Sequence, residues 1–208
     1  MDFGGGKGPS SSSARKLVDD LEALIAELTS NDDARAARAL SQLPQHGETA
    51  LDYLLNLLKS ADTNHRWWAT FGLANLDHPR AREGLIQALR DQDPSVRQAA
   101  AAGLRQQPDP VAIPALIEAL GDGDRLLARL ASGALAALGA EAVSALTIAM
   151  RSEDAGVRIE AARALGEVGD SSAIPALFAA LNDSSAVVVH LAEIGLERLG
   201  VGMVFFEP

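Results

Sequence analysis

The chain has 208 residues, of which 48% are hydrophobic and 4% aromatic, a composition that fits one soluble globular unit or a repeat array. Its 28 acidic and 18 basic side chains give a formal net charge of −10, which argues against nucleic-acid binding because phosphate backbones are captured by clustered Lys and Arg. The absence of cysteine excludes disulfides and thiolate chemistry, and no apolar run is long enough to cross a membrane. The N-terminus lacks the basic-then-apolar order of a secretory signal, so we expect a cytoplasmic protein.

The N-terminal segment 1–13 is rich in glycine and serine, and this composition predicts a flexible leader. After it, a six-residue apolar pattern recurs six times at intervals of 30 or 31 residues. A second pattern, an amphipathic stripe with a landmark leucine near its end, follows each copy of the first. Each unit therefore predicts two short helices joined by a polar turn. The first patterns start at Ala23, Tyr53, Gly84, Ala115, Ala145 and Ala176, and the landmark leucines are Leu40, Leu73, Leu104, Leu135, Leu165 and Leu196.

Proline and glycine mark the ends of the predicted helices. Pro114 and Pro175 stand where first helices should begin, and Gly139, Gly169 and Gly200 stand just past second helices. Two short helices cannot bury their apolar faces alone, so neighbouring copies must stack. The sequence therefore predicts an all-α fold, a right-handed α-solenoid of six two-helix repeats. The solenoid covers residues 14–200, with approximate repeats 14–46, 47–77, 78–108, 109–139, 140–170 and 171–200.

An apolar C-terminal tail, residues 201–208, follows the last predicted helix. One interpretation is a lid over the otherwise open face of the sixth repeat. The other is a docking tail for a partner or a second protomer. In either case the contact would be made by Met203, Val204, Phe205 and Phe206.

The repeated segments resemble a known family. Ala-Ile-Pro-Ala-Leu stands at 112–116 and again at 173–177, and Asp-Ala-Gly-Val-Arg opens a second helix at 154–158. These segments resemble the HEAT-like repeats named after phycobilisome lyases, over about residues 14–200. The resemblance implies a HEAT-type solenoid. That family includes bilin lyase subunits, phycobilisome-degradation factors and bacterial adaptors.

The resemblance also implies an alternative function. Lyase subunits of this type act in pairs and attach a bilin to a cysteine of the partner protein, so the lack of cysteine here is no objection. One lyase-isomerase branch carries Asn-His-Cys-His, whereas this chain has Asn-His-Arg-Trp at 64–67, so isomerase chemistry is not supported. A bilin or other tetrapyrrole would be the cofactor only under this alternative, with the protein acting as a monomer or in a heterodimer.

Aromatic side chains concentrate in the second helix of the second repeat, where Trp67, Trp68 and Phe71 occupy positions off the predicted buried stripe. The resemblance implies that second helices line the concave face of the solenoid. Three exposed rings there would form a large, rigid contact surface of the kind that dominates binding hot spots. The alternative is that one or both tryptophans fill gaps beside alanine-rich neighbours.

Arginine recurs at one position of the second helix, each time four residues after an aspartate. We interpret this spacing as a structural ladder, in which the aspartate caps the helix and pairs with the arginine. The alternative is that these arginines form an anion-binding row, which could include Arg129 and Arg163 on the concave side, and in which Arg66 would hold a tetrapyrrole propionate. The aspartate–arginine pairs are Asp62 and Arg66, Asp93 and Arg97, and Asp154 and Arg158.

No residues nominate a catalytic or metal site, because the four histidines are scattered and no nucleophile, carboxylate-pair or phosphate-loop pattern is present. We therefore predict a non-catalytic scaffold, without cofactor or metal, that captures another protein on its concave face. The acidic net charge favours a basic or neutral partner. The alternative is a phycobilin lyase-like or tetrapyrrole-chaperone subunit that acts with a partner protein.

Overall fold

The computed structural model describes residues 11–30 and 32–201. This part of the chain forms twelve α-helices and no β-strand, so the predicted all-α fold is confirmed. None of these helices is long and apolar enough to cross a membrane. The helices are α1 (Ser11–Leu28), α2 (Asp33–Gln42), α3 (Gly47–Leu57), α4 (Thr63–Leu73), α5 (Pro79–Ala88), α6 (Pro94–Gln106), α7 (Ile113–Ala119), α8 (Arg125–Ala137), α9 (Ala140–Ala149), α10 (Ala155–Glu167), α11 (Ile174–Ala180) and α12 (Ala186–Arg198).

The helices are arranged as six consecutive hairpins. In each hairpin a first helix packs against the second helix that follows it, for example α5 against α6 and α11 against α12. Successive second helices from α4 to α12 also pack side by side, and they approach each other more closely than successive first helices do. The array therefore curves toward its second helices, which form the inner, concave layer. The predicted solenoid is confirmed.

The sequence signals for helix starts act as expected. The side-chain oxygens of Asp62, Asp93 and Asp154 each accept the backbone N–H two residues later, at 2.7 to 2.9 Å, and so cap α4, α6 and α10. Pro114 and Pro175 lie in the first turns of α7 and α11, where a missing N–H costs no helical hydrogen bond. The predicted capping role of the three aspartates is confirmed.

Glycine ends the second helices, and the two termini of the chain depart from the regular pattern. Gly139, Gly169 and Gly200 have positive φ angles of 62°, 72° and 75°, which glycine adopts without strain. At the N-terminal end, α1 begins at Ser11, inside the segment predicted as a leader. The rest of that leader and residues 202–208 lie outside the described residues. Both interpretations of the tail therefore stay predictions for Met203, Val204, Phe205 and Phe206.

The core lies between the two layers and consists mainly of leucine and alanine. All six landmark leucines are buried, and alanines beside them let the helices come close. A close approach of two backbones joins α10 to α12, where a Cβ added to Gly195 would lie 2.8 Å from the Cα of Gly166. Backbone occupies that space, so a side chain there would force the two helices apart.

The junction between the first and second repeats differs from the later ones. Within the described residues, α2 and α4 do not make the close side-by-side approach that joins α4 to α6 and every later pair of second helices. Instead the short 3₁₀ turn Leu43–His46 connects the hairpins by packing on both α1 and α3. A groove consequently opens between α2 and α4 on the inner layer.

Candidate partner-binding surface

Two positions of each second helix stay at least partly exposed on the inner layer, namely the residues six and two places before the landmark leucine. Because they are four residues apart, they lie on the same side of the helix. We call the set from α4 to α12 the second-helix ridge. It consists of Trp67 and Phe71, Gln98 and Ala102, Arg129 and Gly133, Ile159 and Arg163, and His190 and Ile194.

The N-terminal end of the ridge is aromatic. Phe71 is 43% exposed and stacks on the half-buried Trp67, with ring centroids 5.5 Å apart and ring planes 11° from parallel. Trp68 packs edge-on against Trp67 but is only 5% exposed. The expected exposure of Trp68 is therefore wrong, because this ring fills the space beside the widened first junction. Its indole Nε1 is buried and has no hydrogen-bond partner among the described residues.

The groove beside these rings has a volume of about 790 Å³. Trp67 and Trp68 form its apolar wall, and Asp62 and Asp33 place carboxylates at the ends of the two helices that border it. A cleft of this size, with an aromatic wall and polar side chains around it, can hold an inserted side chain or a small molecule. Its complete lining is Asp33, Ala37, Asp62, Thr63, Asn64, Trp67, Trp68 and Ser95.

Arg66, which the sequence placed in a possible anion-binding row, lies buried in the turn below the ridge. Its guanidinium donates to both carboxylate oxygens of Asp91, at 2.7 and 2.9 Å, and to the backbone carbonyl of Ser60 at 3.0 Å. The hydrogen bond to Asp91 raises the pKa of Arg66 against the opposing effect of desolvation. With 4% of its surface exposed and its donors engaged, Arg66 cannot hold a ligand carboxylate without breaking this pair.

The predicted pairing of each ladder arginine with the aspartate four residues before it is wrong, because each of these arginines pairs with an aspartate of the next repeat. We call each such arginine–aspartate pair a rung of the ladder. Two further rungs join an arginine to an aspartate of the next turn in the same way. Arg97 lies 3.5 Å from Asp122 of the next turn, and Arg158 donates to Asp183 of the next turn at 2.8 Å. The hydrogen bond from Arg158 lowers the pKa of Asp183 below the usual value for an aspartate.

The other two predicted arginines lie on the ridge. Arg129 is exposed and makes no hydrogen bond or ion pair with any described residue, whereas Arg163 donates to Glu160 at 3.1 Å. The repeat pattern gave no indication of Arg105 of α6, whose side chain lies across Gly133 of α8. The available signal was the glycine itself, because a residue without a side chain at an exposed ridge position leaves room for a neighbour.

No metal site is found in the part of the chain that the structure describes, where no three His, Asp or Glu side chains come close enough together to hold an ion. The histidines with carboxylate neighbours each have one such partner. His78 lies 2.9 Å from Glu48, and His190 lies 3.9 Å from Glu193. Each of these pairs lies at the surface.

Stacked helical hairpins with a close-packed inner layer and an exposed ridge define an α-solenoid repeat protein. The family model for HEAT repeats matches residues 51–136 and 113–197 of the chain. These two matches overlap and together cover well over half of the 208 residues. The chain belongs to the HEAT-repeat family.

Solved structures support the same fold. An engineered protein is 25% identical, with 88% of this chain and 98% of that chain covered and a TM-score of 0.52. The complex of CpcE and CpcF of phycocyanin lyase from Nostoc sp. PCC7120 is also 25% identical, with 96% and 81% covered and a TM-score of 0.52. YibA of Escherichia coli is 18% identical, with 94% and 80% covered and a TM-score of 0.54. None of the curated proteins is similar enough to count as a match.

Proposed function

We propose that this HEAT-repeat protein is a non-catalytic scaffold that captures a partner protein on its second-helix ridge. The observation that carries the proposal is the stacked pair of Phe71 and Trp67 beside the groove at the first junction. An exposed phenylalanine held flat against a tryptophan offers rigid apolar area, and burying such area supplies much of the affinity at binding hot spots. Since Trp67 is already packed against the core, little side-chain entropy is lost on binding.

The shape of the solenoid supports the same proposal. The ridge runs along an inner layer whose helices pack tightly from α4 to α12, so the binding surface is formed before the partner arrives. A partner side chain can enter the groove between α2 and α4 while the rest of the partner lies along the ridge. This division of a surface into an anchoring pocket and an extended contact is common in protein interfaces.

The test removes the two stacked rings, Trp67 and Phe71, and leaves the buried ring of Trp68 in place. A Trp67→Ala/Phe71→Ala variant and the parent protein are used to isolate partners from native cell extract, and the recovered partner is then purified and titrated. We expect the affinity to fall at least about ten-fold with an unchanged far-UV helical signal, because hot-spot truncation typically costs more than 1 kcal/mol.

The matched control is Tyr53→Ala/Ile148→Ala, which removes two exposed apolar side chains from first helices on the outer layer. This variant should bind the purified partner as the parent does. Equal losses in both variants, or no loss in the ridge variant, would rule out the ridge as the binding surface. Trp68 is left in place because its removal would test packing instead of binding.

A second candidate function is a phycobilin lyase-like or tetrapyrrole-chaperone subunit acting with a partner protein. The similarity to the phycocyanin lyase complex over 96% of the chain favours it. The pigment would lie against Trp67 with a propionate near Arg129, since Arg66 is engaged by Asp91. Mixing the purified protein with a bilin tests this function. A red-shifted, sharpened absorbance band that is lost in Trp67→Ala supports it, and an unchanged spectrum contradicts it.

A further inference from the structure

Arginines without an acidic partner meet at the centre of the second-helix ridge, where α6 and α8 lie side by side. We propose that Arg105 and Arg129 bind carboxylate side chains of an acidic segment of the partner protein. This inference rests on the proposed scaffold function and names the chemistry of the segment that the ridge would hold.

Arg105 and Arg129 lie at neighbouring positions of the inner layer. A Cβ added to Gly133 would lie 3.6 Å from Cδ and from Nη1 of Arg105, so the Arg105 side chain lies along the surface left free by the glycine. Arg129 is exposed, precedes Gly133 by one helical turn and lies on the same side of α8. Arg125, also exposed, continues this row by one more turn toward the start of the helix.

These arginines are not neutralised by the protein. Arg105, Arg125 and Arg129 make no hydrogen bond or ion pair with any described residue, unlike the ladder arginines below the ridge. The nearest helix-capping carboxylate, Asp124, is already engaged, because it accepts the side-chain amide of Gln98 at 2.6 Å and two backbone N–H groups of α8. Arg125 also stands in the first turn of its helix, where the helix dipole disfavours a cation, so helix stability does not account for it.

The local charge is therefore opposite to the net charge. The formal charge of −10 suggests a basic or neutral partner, but charges separated by more than about 10 Å are largely screened at physiological salt. Unpaired guanidinium groups in direct contact with an anion contribute more to its binding free energy than that distant, screened charge does. The centre of the ridge consequently attracts anions although the protein as a whole is acidic.

A carboxylate is the anion that fits best. A guanidinium binds a carboxylate or a phosphate through two parallel N–H donors. Nucleic-acid binding rests on many Lys and Arg contacts to phosphates, and a few arginines on an acidic protein do not supply them. Leu126, 53% exposed beside Arg125, adds an apolar contact for a segment in which acidic and apolar residues alternate.

Binding of labelled peptides tests the assignment. The probe is a fluorescein-labelled peptide of alternating Glu and Leu, followed by fluorescence anisotropy with the full-length protein. Two companion peptides replace Glu with Gln or with phosphoserine. The Glu peptide should bind, the Gln peptide should bind at least about ten-fold more weakly, and the affinity should fall between roughly 50 and 300 mM salt.

The decisive comparison uses two variants of equal net charge. Arg105→Gln/Arg129→Gln removes the two proposed binding residues, and Arg90→Gln/Arg151→Gln removes two exposed arginines of the turns after first helices. The first should weaken binding of the Glu peptide at least about ten-fold and the second less than two-fold. Circular dichroism confirms that both variants are folded.

Three results would overturn the proposal. These are equal weakening by both variants, failure of the Glu peptide to bind, and tighter binding of the phosphoserine peptide than of the Glu peptide. The last would assign the site to a phosphorylated partner. Failure here leaves the scaffold function open, because that function is tested separately with Trp67→Ala/Phe71→Ala and the isolated native partner.

Discussion

At the junction between the second and third repeats, the guanidinium of Arg66 holds both oxygens of Asp91 in the following turn. At the junction between the first and second repeats, the same two positions are Ala36 and Ser60. The first junction therefore lacks the ion pair, and it is also the one where the second helices do not pack side by side.

The remaining junctions follow the same rule. Arg97 with Asp122 and Arg158 with Asp183 complete the rungs of the ladder. The junction between the fourth and fifth repeats has Ala128 and Ser152 instead. Donor and acceptor are thus present together or absent together in this chain, because removing either partner of a shielded pair leaves an uncompensated charge.

Each ladder aspartate has two roles, because it accepts a backbone N–H of its own turn and pairs with an arginine. Serine, where it stands at the same position, keeps only the first role. The hydroxyls of Ser60 and Ser152 accept the backbone N–H of Asp62 and Asp154, at 3.1 and 3.2 Å, as the carboxylate of Asp91 does for Asp93 at 2.8 Å. The turn is preserved while the ion pair is lost. The two junctions without the pair adjoin the repeats that carry Trp67 and Arg129, two of the residues proposed to bind a partner.

The largest expected effect is that of removing Trp68, the buried ring at the first junction, where the ion pair is absent. Trp68→Ala should lower the free energy of unfolding by about 3 kcal/mol, because a buried aromatic ring is removed and a cavity is left. Urea denaturation followed by circular dichroism measures the loss. Trp67→Ala, at a half-buried position, is the control and should cost clearly less. Equal costs would mean that Trp68 does not hold the first repeat in place.

The second effect tests the rung at Asp91. Asp91→Ala should destabilise the protein by roughly 2 kcal/mol, since it leaves Arg66 without its carboxylate, and the cost stays below that of a deep pair because the turn is shallow. Glu118→Ala removes an exposed carboxylate that pairs with Arg90 at 2.7 Å, and it should cost less than about 0.5 kcal/mol. If both substitutions cost the same, the ladder has no special stabilising role.

The third prediction concerns an ion pair introduced at the junction between the fourth and fifth repeats, where the ladder lacks one. The double variant Ala128→Arg/Ser152→Asp should be more stable than the sum of the two single variants predicts, with a coupling energy of about 1 kcal/mol. A double-mutant cycle by chemical denaturation measures it. A parallel cycle with Ser152→Asn keeps the turn hydrogen bond but offers no charge, so its coupling should be smaller. Absence of extra coupling in the aspartate cycle contradicts the pairing rule.

The smallest effect is the pH dependence of the rung at Asp183. Its pKa is lowered in the folded protein by the hydrogen bond from Arg158, so the pair contributes stability above the unfolded-state pKa and loses it as the pH falls through the folded-state pKa. The stability difference between the protein and Asp183→Asn should stay constant from pH 7 to about 5 and shrink below about 4. A difference that shrinks already near pH 6 would show that another group is responsible. The control Glu153→Gln, an exposed change in the preceding turn, should show no such loss.

The repeat period was sufficient to predict the hairpins, the caps at Asp62 and Asp154, and the burial of the landmark leucines. These features depend on local sequence and on a spacing that every copy shares. The distinction between Trp67 and Trp68 was not accessible, because adjacent helical residues differ by about 100° and their exposure depends on how α2 lies against α4. That packing belongs to a terminal repeat, where the regular pattern no longer applies.

The ladder partner was also beyond sequence reasoning. A spacing of four residues suggested that Arg66 pairs with Asp62, but the cap position already uses that carboxylate for a backbone N–H. The true partner, Asp91, comes from the following turn, and only the stacking of the repeats brings it near. Arg105 escaped notice for the same reason, since its position over Gly133 arises between two helices.

The contact of Gly166 with Gly195 shows which side of the crossing must be bare. A Cβ on Gly195 would meet the backbone of α10, so the sixth hairpin needs a glycine at this position. At the equivalent crossing of the second and third hairpins, Gly103 lies against the methyl group of Ala74, so the earlier hairpin can carry a small side chain there. The equivalent residue of the fourth hairpin is also an alanine, Ala136. Deleting the fifth hairpin would therefore give the sixth a neighbour of the kind that the third already has, and a shortened protein should still close its inner layer at this crossing.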